Sequence, residues 1–147
     1  VLSEPDAMID DILKLDALNG GRYAAEFWNY ILVLRDYMRA REAGDFSGGN
    51  VHDYLANPPD GYRICSASRH KSNESETVKG NEKMRRERTR PVPAEVDPRG
   101  EIEMWAHFAP THCDQNAPRM HYYPDTTKTN KVYIGYIGRH LTNTRTN

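Results

Sequence analysis

The feature that most constrains this chain is the alternation of apolar and polar side chains in its C-terminal third. Three segments show it: 101–108, 119–123 and 131–141. Because successive side chains of a strand point to opposite faces, a period of two predicts β-strands. The turn-forming run Asp97-Pro98-Arg99-Gly100 stands before the first segment, and a polar loop at 125–130 stands before the last. The pattern therefore predicts an antiparallel sheet of four to five strands.

The N-terminal part has helical spacing instead. Segment 22–43 is followed by Gly44 and carries a stripe three or four positions apart, formed by Tyr23, Phe27, Tyr30, Ile31, Leu34 and Met38. A short amphipathic helix is expected before it, and one or two helical turns at 51–56. We therefore predict an α+β fold with two or three N-terminal helices packed on one face of the C-terminal sheet, which leaves the other face open.

Length and composition predict one domain. With 147 residues and 37% hydrophobic content, the chain is long enough for one core. We expect a single α+β domain over 1–147, with a helical part about 1–60, a sheet part about 61–141 and an exposed tail at 142–147. The chain begins at Val1 without methionine, so we expect either a trimmed tag or a segment excised from a longer polypeptide. Two cysteines and no long apolar run favour a cytoplasmic location and no membrane partner.

Positive charge is concentrated in one segment. Residues 68–90 carry eight basic and four acidic side chains, although the net charge of the chain is only -1. We expect 68–82 to form a mobile loop, and 85–90 to be extended so that Arg86, Arg88 and Arg90 share a face. Such a patch attracts phosphates. The predicted nucleic-acid-binding residues are Arg69, Lys71, Arg85, Arg86, Arg88, Arg90 and Tyr123. The alternative is an arginine-rich strand edge neutralised by Glu87, Glu95 or Glu101.

The polar parity of the strands supplies the candidate catalytic residues His121, His107, Glu103 and Arg139, and His140, which follows Arg139 on the core parity, is a fifth candidate. In metal-independent RNA cleavage, an imidazole or carboxylate takes the proton of the ribose 2′-hydroxyl and a second imidazole protonates the leaving oxygen. His121 and His107 are the acid and base candidates, with Glu103 as an alternative base. Glycines inside the last strand favour a bulge or a close backbone approach, and a bulge would move His140 from the core face to the polar face.

A metal site is a weaker alternative. Zinc-ligand types lie close together in the sequence, at His107, His112, Cys113, Asp114 and His121. Three of them are adjacent along the chain and point in different directions, so we predict no metal and no cofactor while leaving zinc open.

The leading functional hypothesis is a domain that binds the phosphates of RNA or single-stranded DNA, with metal-independent endoribonuclease activity in its catalytic version. The alternative is a noncatalytic protein-interaction or structural terminal module of a larger assembly. Its contact surface would be the outward aromatic residues Trp105, Tyr123 and Tyr133.

Overall fold

The structure, a computed structural model, describes residues 1–17, 22–110 and 117–143. Within these ranges the helices are α1 (Pro5–Ala17), α2 (Arg22–Ala43), α3 (Val51–Ala56), α4 (Glu76–Gly80) and α5 (Glu82–Arg88). The strands are β1 (His70–Lys71), β2 (Thr89–Pro91), β3 (Glu101–Glu103), β4 (Ala106–Phe108), β5 (Pro118–Asp125) and β6 (Lys131–Arg139). None of the described helices is both long enough and apolar enough to cross a membrane.

The predicted α+β fold class is confirmed. Four antiparallel strands form the main sheet in the order β1-β4-β5-β6, and β2 and β3 form a separate two-stranded sheet. The N-terminal helices pack on the main sheet through one apolar core that joins residues of α2 and α3 to Phe108, Met120 and Ile137. We call the side of the sheet that they cover the helical face.

The stripe predicted for α2 forms the centre of this core. Phe27, Tyr30 and Leu34 are buried, and the Tyr30 ring stacks on Phe108 with centroids 4.7 Å apart. Asp36 has the wrong periodicity for the stripe, yet it is also buried. Its carboxylate accepts a hydrogen bond from the backbone N–H of Arg63 at 2.8 Å, which compensates for its lost hydration.

The opposite face, which we call the polar face, is not open as expected. Segment 76–88 was predicted as loop and extended chain, but it forms α4 and α5, and the chain that follows them packs on the sheet. The side chains of Ser75 and Asn81 cap the two helices by accepting hydrogen bonds from the N–H groups of Val78 and Met84. A second apolar cluster closes this side, formed by Val92, Val96, Met104 and Tyr133.

A bulge in β6 lets the chain that follows α5 approach the sheet closely. His121 pairs with Tyr136 and Tyr122 with Ile134, so Gly135 is the extra residue. A Cβ atom at Gly135 would lie 2.5 Å from both the Arg90 side chain and the Met104 sulfur. The predicted bulge is therefore present, and the close contact at Gly135 is made by the side chains of Arg90 and Met104 rather than by another backbone.

Candidate functional site

Strand register gathers polar residues on the polar face. Lys71 pairs with His107, His107 pairs with His121, and His121 pairs with Tyr136, so these four residues form one row across β1, β4, β5 and β6. The imidazoles of His107 and His121 stack with centroids 4.7 Å apart and an interplanar angle of 28°. The structure thus brings together the two histidines that the sequence analysis placed on one parity.

Backbone hydrogen bonds orient both imidazoles. His107 Nδ1–H donates to the carbonyl of Trp105 at 2.9 Å, and His121 Nδ1–H donates to that of Met104, also at 2.9 Å. A carbonyl oxygen only accepts, so the ring proton lies on Nδ1 in each residue. In the neutral rings Nε2 therefore carries the lone pair that can accept a proton.

A carboxylate and a guanidinium complete the group. Glu74 Oε1 lies 3.3 Å from His107 Nδ1 and 3.3 Å from Arg88 Nε. The Glu74 side chain is only 10% exposed and that of Arg88 is fully buried. We call Glu74, Arg88, His107 and His121 the histidine-pair cluster.

Arg88 is incompletely paired for a buried cation. Its Nη1 donates to the carbonyl of Met84 at 3.0 Å, and Glu87 is 3.9 Å away. The contact of Nε with Glu74 is an ion pair without hydrogen-bond geometry, and Nη2 has no hydrogen-bond partner among the described residues. Because buried donors are costly when left unpaired, this guanidinium can still gain free energy from a further acceptor.

Burial and positive neighbours keep the histidines neutral. Burial is the main cause that lowers the pKa of His107 to about 4, and the charges of Arg119, Arg88 and Lys71 lower it further. Burial likewise holds the pKa of His121 well below its usual range, with His107, Arg88 and Arg90 contributing. At neutral pH the cluster therefore combines uncharged imidazoles with the paired charges of Arg88 and Glu74, and Arg119 and Lys71 add positive charge around it, a setting that favours an anion.

Part of the cluster also has the composition of a metal site. Glu74, His107 and His121 offer ligand atoms that all lie within 4.8 Å of one another. However, the Arg88 guanidinium already contacts Glu74, and a divalent cation bound there would lie next to a fixed positive charge. Three members of the zinc set considered from sequence, at positions 112–114, fall outside the described residues.

Glu103 lies outside the histidine-pair cluster. Arg99 donates to both of its carboxylate oxygens, at 3.0 and 2.9 Å, and this pairing is the main cause that lowers the pKa of Glu103. Glu103 lines a surface depression of about 250 Å³ together with Arg85 and Arg86. Arg86 pairs there with Glu101 at 2.7 Å, the carboxylate pairing that the sequence analysis weighed as the alternative to phosphate binding.

The last two predicted catalytic residues, Arg139 and His140, lie at the C-terminal end of β6 and directly after it. Arg139 is exposed and shares its parity with Ile137, whose side chain lies in the core of the helical face, so the register does not bring Arg139 to His121. His140 is half-buried beyond the strand end, and its Nδ1–H donates to the Leu141 carbonyl at 2.7 Å. Burial is the main cause that lowers the pKa of His140, and His107 and Glu74 lie within electrostatic range of it.

The other predicted nucleic-acid-binding residues are dispersed. Arg69 donates to the carbonyl of Pro110 at 2.6 Å. Arg90 lies over the Tyr136 ring, 4.7 Å from its centroid, and donates to the Glu87 carbonyl. Tyr123 is half-buried and packs against the second apolar cluster. Tyr133 belongs to that cluster and is only 1% exposed, so it is not available for an outward aromatic contact.

Sequence reasoning missed two residues. Glu74 lies in a polar stretch with no periodicity, and no sequence signal distinguishes it from its neighbours. Arg119 is buried on β5 and donates to the carbonyls of Ala117 and Pro118. It has the same parity as His121, so the alternation itself could have identified it.

Comparison with protein-family models, with curated proteins and with solved structures finds no match for this chain.

Proposed function

We propose that this domain binds the phosphate groups of RNA or single-stranded DNA at the histidine-pair cluster, and that it cleaves RNA there without a metal. The observation that carries the proposal is the fully buried, incompletely paired Arg88 guanidinium beside two neutral imidazoles. A phosphate oxygen would supply the acceptor that the guanidinium lacks. Arginine suits this role because its planar set of N–H donors matches phosphate geometry.

Surrounding charges favour the same ligand. Lys71 is exposed in the same cross-strand row as His107, and Arg119 is close enough to lower the pKa of His107. With Arg88 they place three cations around the imidazoles, against the carboxylates of Glu74 and Glu87. A polyanion that entered from the Lys71 side would therefore meet a positive potential.

The two imidazoles differ in a way that assigns their roles. The pKa of His107 is about 4, whereas that of His121 is held well below its usual range in a fully buried site. His107 is the imidazole that the Glu74 carboxylate contacts, at 3.3 Å, so His107 is the one whose protonated form this carboxylate stabilises. A bound phosphate raises the pKa of His107 from its lowered value because opposite charges attract.

His121 is only 1% exposed, so the proposed catalytic step requires the segment that covers the polar face to move aside. His121 Nε2 then accepts the proton of the ribose 2′-hydroxyl, and the 2′-oxygen attacks phosphorus. The bond from phosphorus to the 5′-oxygen breaks, and protonated His107 gives its proton to that leaving oxygen. The products are a 2′,3′-cyclic phosphate and a free 5′-hydroxyl. Arg88 stabilises the charge that develops on the phosphoryl oxygens.

The test is incubation of labelled single-stranded RNA and DNA with the protein in EDTA, at low and moderate salt, with retention and cleavage both measured. The informative variant is His121→Asn, because an asparagine amide can still donate to the Met104 carbonyl but has no equivalent of Nε2. The matched control is His52→Asn, a change at an exposed histidine of α3. Circular dichroism confirms folding of both variants.

We expect RNA cleavage in EDTA that His121→Asn abolishes and His52→Asn preserves. DNA should be retained but not cleaved because it lacks the 2′-hydroxyl, and retention should weaken steeply with salt. Cleavage that required added Zn²⁺ or Mn²⁺ would contradict the metal-independent step. Absence of both retention and cleavage at low salt would reject the proposal and favour a protein partner.

A further inference from the structure

A second cavity lies at the end of β1, where Ala106 of β4 has no partner in β1. Its volume is about 230 Å³. The apolar and aromatic part of its wall consists of Val51, Trp105, Ala106, Tyr122, Tyr123 and Pro124, and the polar part of Asn50, His70, Ser72 and Glu103. The cavity is smaller than the roughly 300–1,000 Å³ of sites for drug-sized ligands, so it suits a single small ring system.

One buried polar group in this wall has no hydrogen-bond partner among the residues that the structure describes. His70 lines the cavity and is 3% exposed, and its Nε2 lies 2.6 Å from the Tyr122 hydroxyl. Burial holds the pKa of Tyr122 well above its usual range and lowers that of His70 to about 3, so both groups are neutral. In the tautomer in which the Tyr122 hydroxyl donates to Nε2, the ring proton of His70 lies on Nδ1.

No described residue accepts a hydrogen bond from His70 Nδ1. A buried N–H without an acceptor costs free energy, and a ligand atom with a lone pair would remove that cost. The cavity thus combines aromatic surfaces for stacking with one fixed donor. This combination selects a flat heterocycle that carries an acceptor on its edge.

The geometry points to a binding pocket for one unpaired nucleobase, which stacks against Trp105 or Tyr123 and accepts a hydrogen bond from His70 Nδ1. This inference rests on the proposed function, since it supplies the base contact for the same polymer whose phosphate the histidine-pair cluster binds. Stacking on aromatic side chains is how proteins commonly hold single-stranded bases.

The pocket and the cross-strand row meet at a strand edge. His70 precedes Lys71 and Ala106 precedes His107, so the side chains of the two sets point to opposite faces of the sheet while their backbones are adjacent, roughly 3.3 Å apart. β1 pairs only with His107 and Phe108, so Ala106 has no strand partner on that side among the described residues. A base at this edge would keep its backbone near Lys71.

The experiment titrates the folded protein with the four ribonucleosides, which carry no phosphate, and with ribose as the control for the sugar. The two tryptophans of the chain are Trp28, which is 60% exposed on α2, and Trp105 in the pocket wall. The variant Trp28→Phe makes Trp105 the sole fluorescent reporter. In this background, His70→Gln keeps an acceptor for the Tyr122 hydroxyl but removes the Nδ1 donor. His52→Gln changes an exposed histidine whose ring centroid lies 6.0 Å from that of His70.

We expect at least one nucleoside to quench Trp105 saturably and ribose to have no effect. His70→Gln should weaken this binding by about tenfold and His52→Gln should not change it. If no nucleoside quenches Trp105 while RNA is still retained or cleaved, the pocket is wrong and the proposed function stands. If nucleosides bind through His70 but RNA is neither retained nor cleaved, the proposed function is wrong and the pocket stands. Equal binding by a folded His70→Gln variant would overturn the pocket.

Discussion

The helical face and the polar face of the main sheet are both buried, but by different chemistry. On the helical face, Tyr30, Phe108 and Tyr122 stack in a continuous aromatic core. On the polar face, the same strands bury His107 and His121 with the ion pair of Glu74 and Arg88. Apolar burial is favourable without a partner, whereas each buried charge requires one. The polar face is therefore the less stable arrangement and the better candidate for function.

The largest expected effect tests the helical face. Phe108→Ala removes a fully buried ring that contacts Tyr30, His70 and Tyr122. We expect the free energy of unfolding to fall by about 3–5 kcal/mol, through lost burial and the cavity left behind. Urea denaturation followed by circular dichroism measures this loss. A change below about 1 kcal/mol would mean that this face is not the principal core.

Substitutions on the polar face should affect stability differently, because the free-energy cost of burying a charge there depends on whether its partner is present. Arg88→Met leaves Glu74 buried without its cation, and we expect a loss of about 3 kcal/mol. Adding Glu74→Gln should restore most of that stability while phosphate retention stays lost. Urea denaturation and RNA retention measure these effects. The Glu74→Gln single variant completes the double-mutant cycle. Full RNA retention by the folded double variant would show that the ion pair has only a structural role.

A dependence of stability on pH sharpens the comparison. The pKa of His107 is about 4 in the folded protein, below the ordinary value of 6.5, so the unfolded chain binds the extra proton more readily. The stability contributed by neutral His107 is thus present above pH 6.5 and is lost as pH falls towards 4. We expect a loss on the order of 2 kcal/mol between pH 6.5 and 4.5.

Denaturation of His107→Gln isolates this contribution. Its stability should fall less than that of the wild type over the same pH interval, while the acidic residues common to both proteins titrate alike. Parallel stability curves for the two proteins would contradict the assigned burial of His107.

The smallest expected effect is on RNA retention, and it distinguishes an outward arginine, Arg86, from a basic residue of the polar face, Lys71. Arg86 is exposed and paired with Glu101, whereas Lys71 lies in the row of His107 and His121. We expect Arg86→Gln to leave RNA retention nearly unchanged and Lys71→Gln to weaken it and reduce its salt dependence. Filter retention across a salt series measures both. A stronger loss from Arg86→Gln would move the phosphate surface to the depression lined by Arg85 and Arg86.

The elements with regular periodicity could be predicted from sequence, and those without it could not. The stripe of α2 and the alternation around His107 and His121 lead directly to the observed core and cross-strand row. The prediction of loop and extended chain for the segment that forms α4 and α5 was wrong, because apolar residues in this segment are too sparse to show a helical period. In the helix, Met84 and Arg88 share the buried side, whereas an extended chain would have grouped Arg86, Arg88 and Arg90.

The sequence by itself determined the fold class and the parity of His107 and His121, because both depend on side-chain spacing within single strands and helices. Only the tertiary structure decided that Glu74 and Arg88 join the two histidines, that Glu103 pairs with Arg99 instead, and that the polar face is covered. These outcomes depend on strand register, on the Gly135 bulge and on the path of a connecting segment. They are set by packing between distant parts of the chain, which local spacing does not encode.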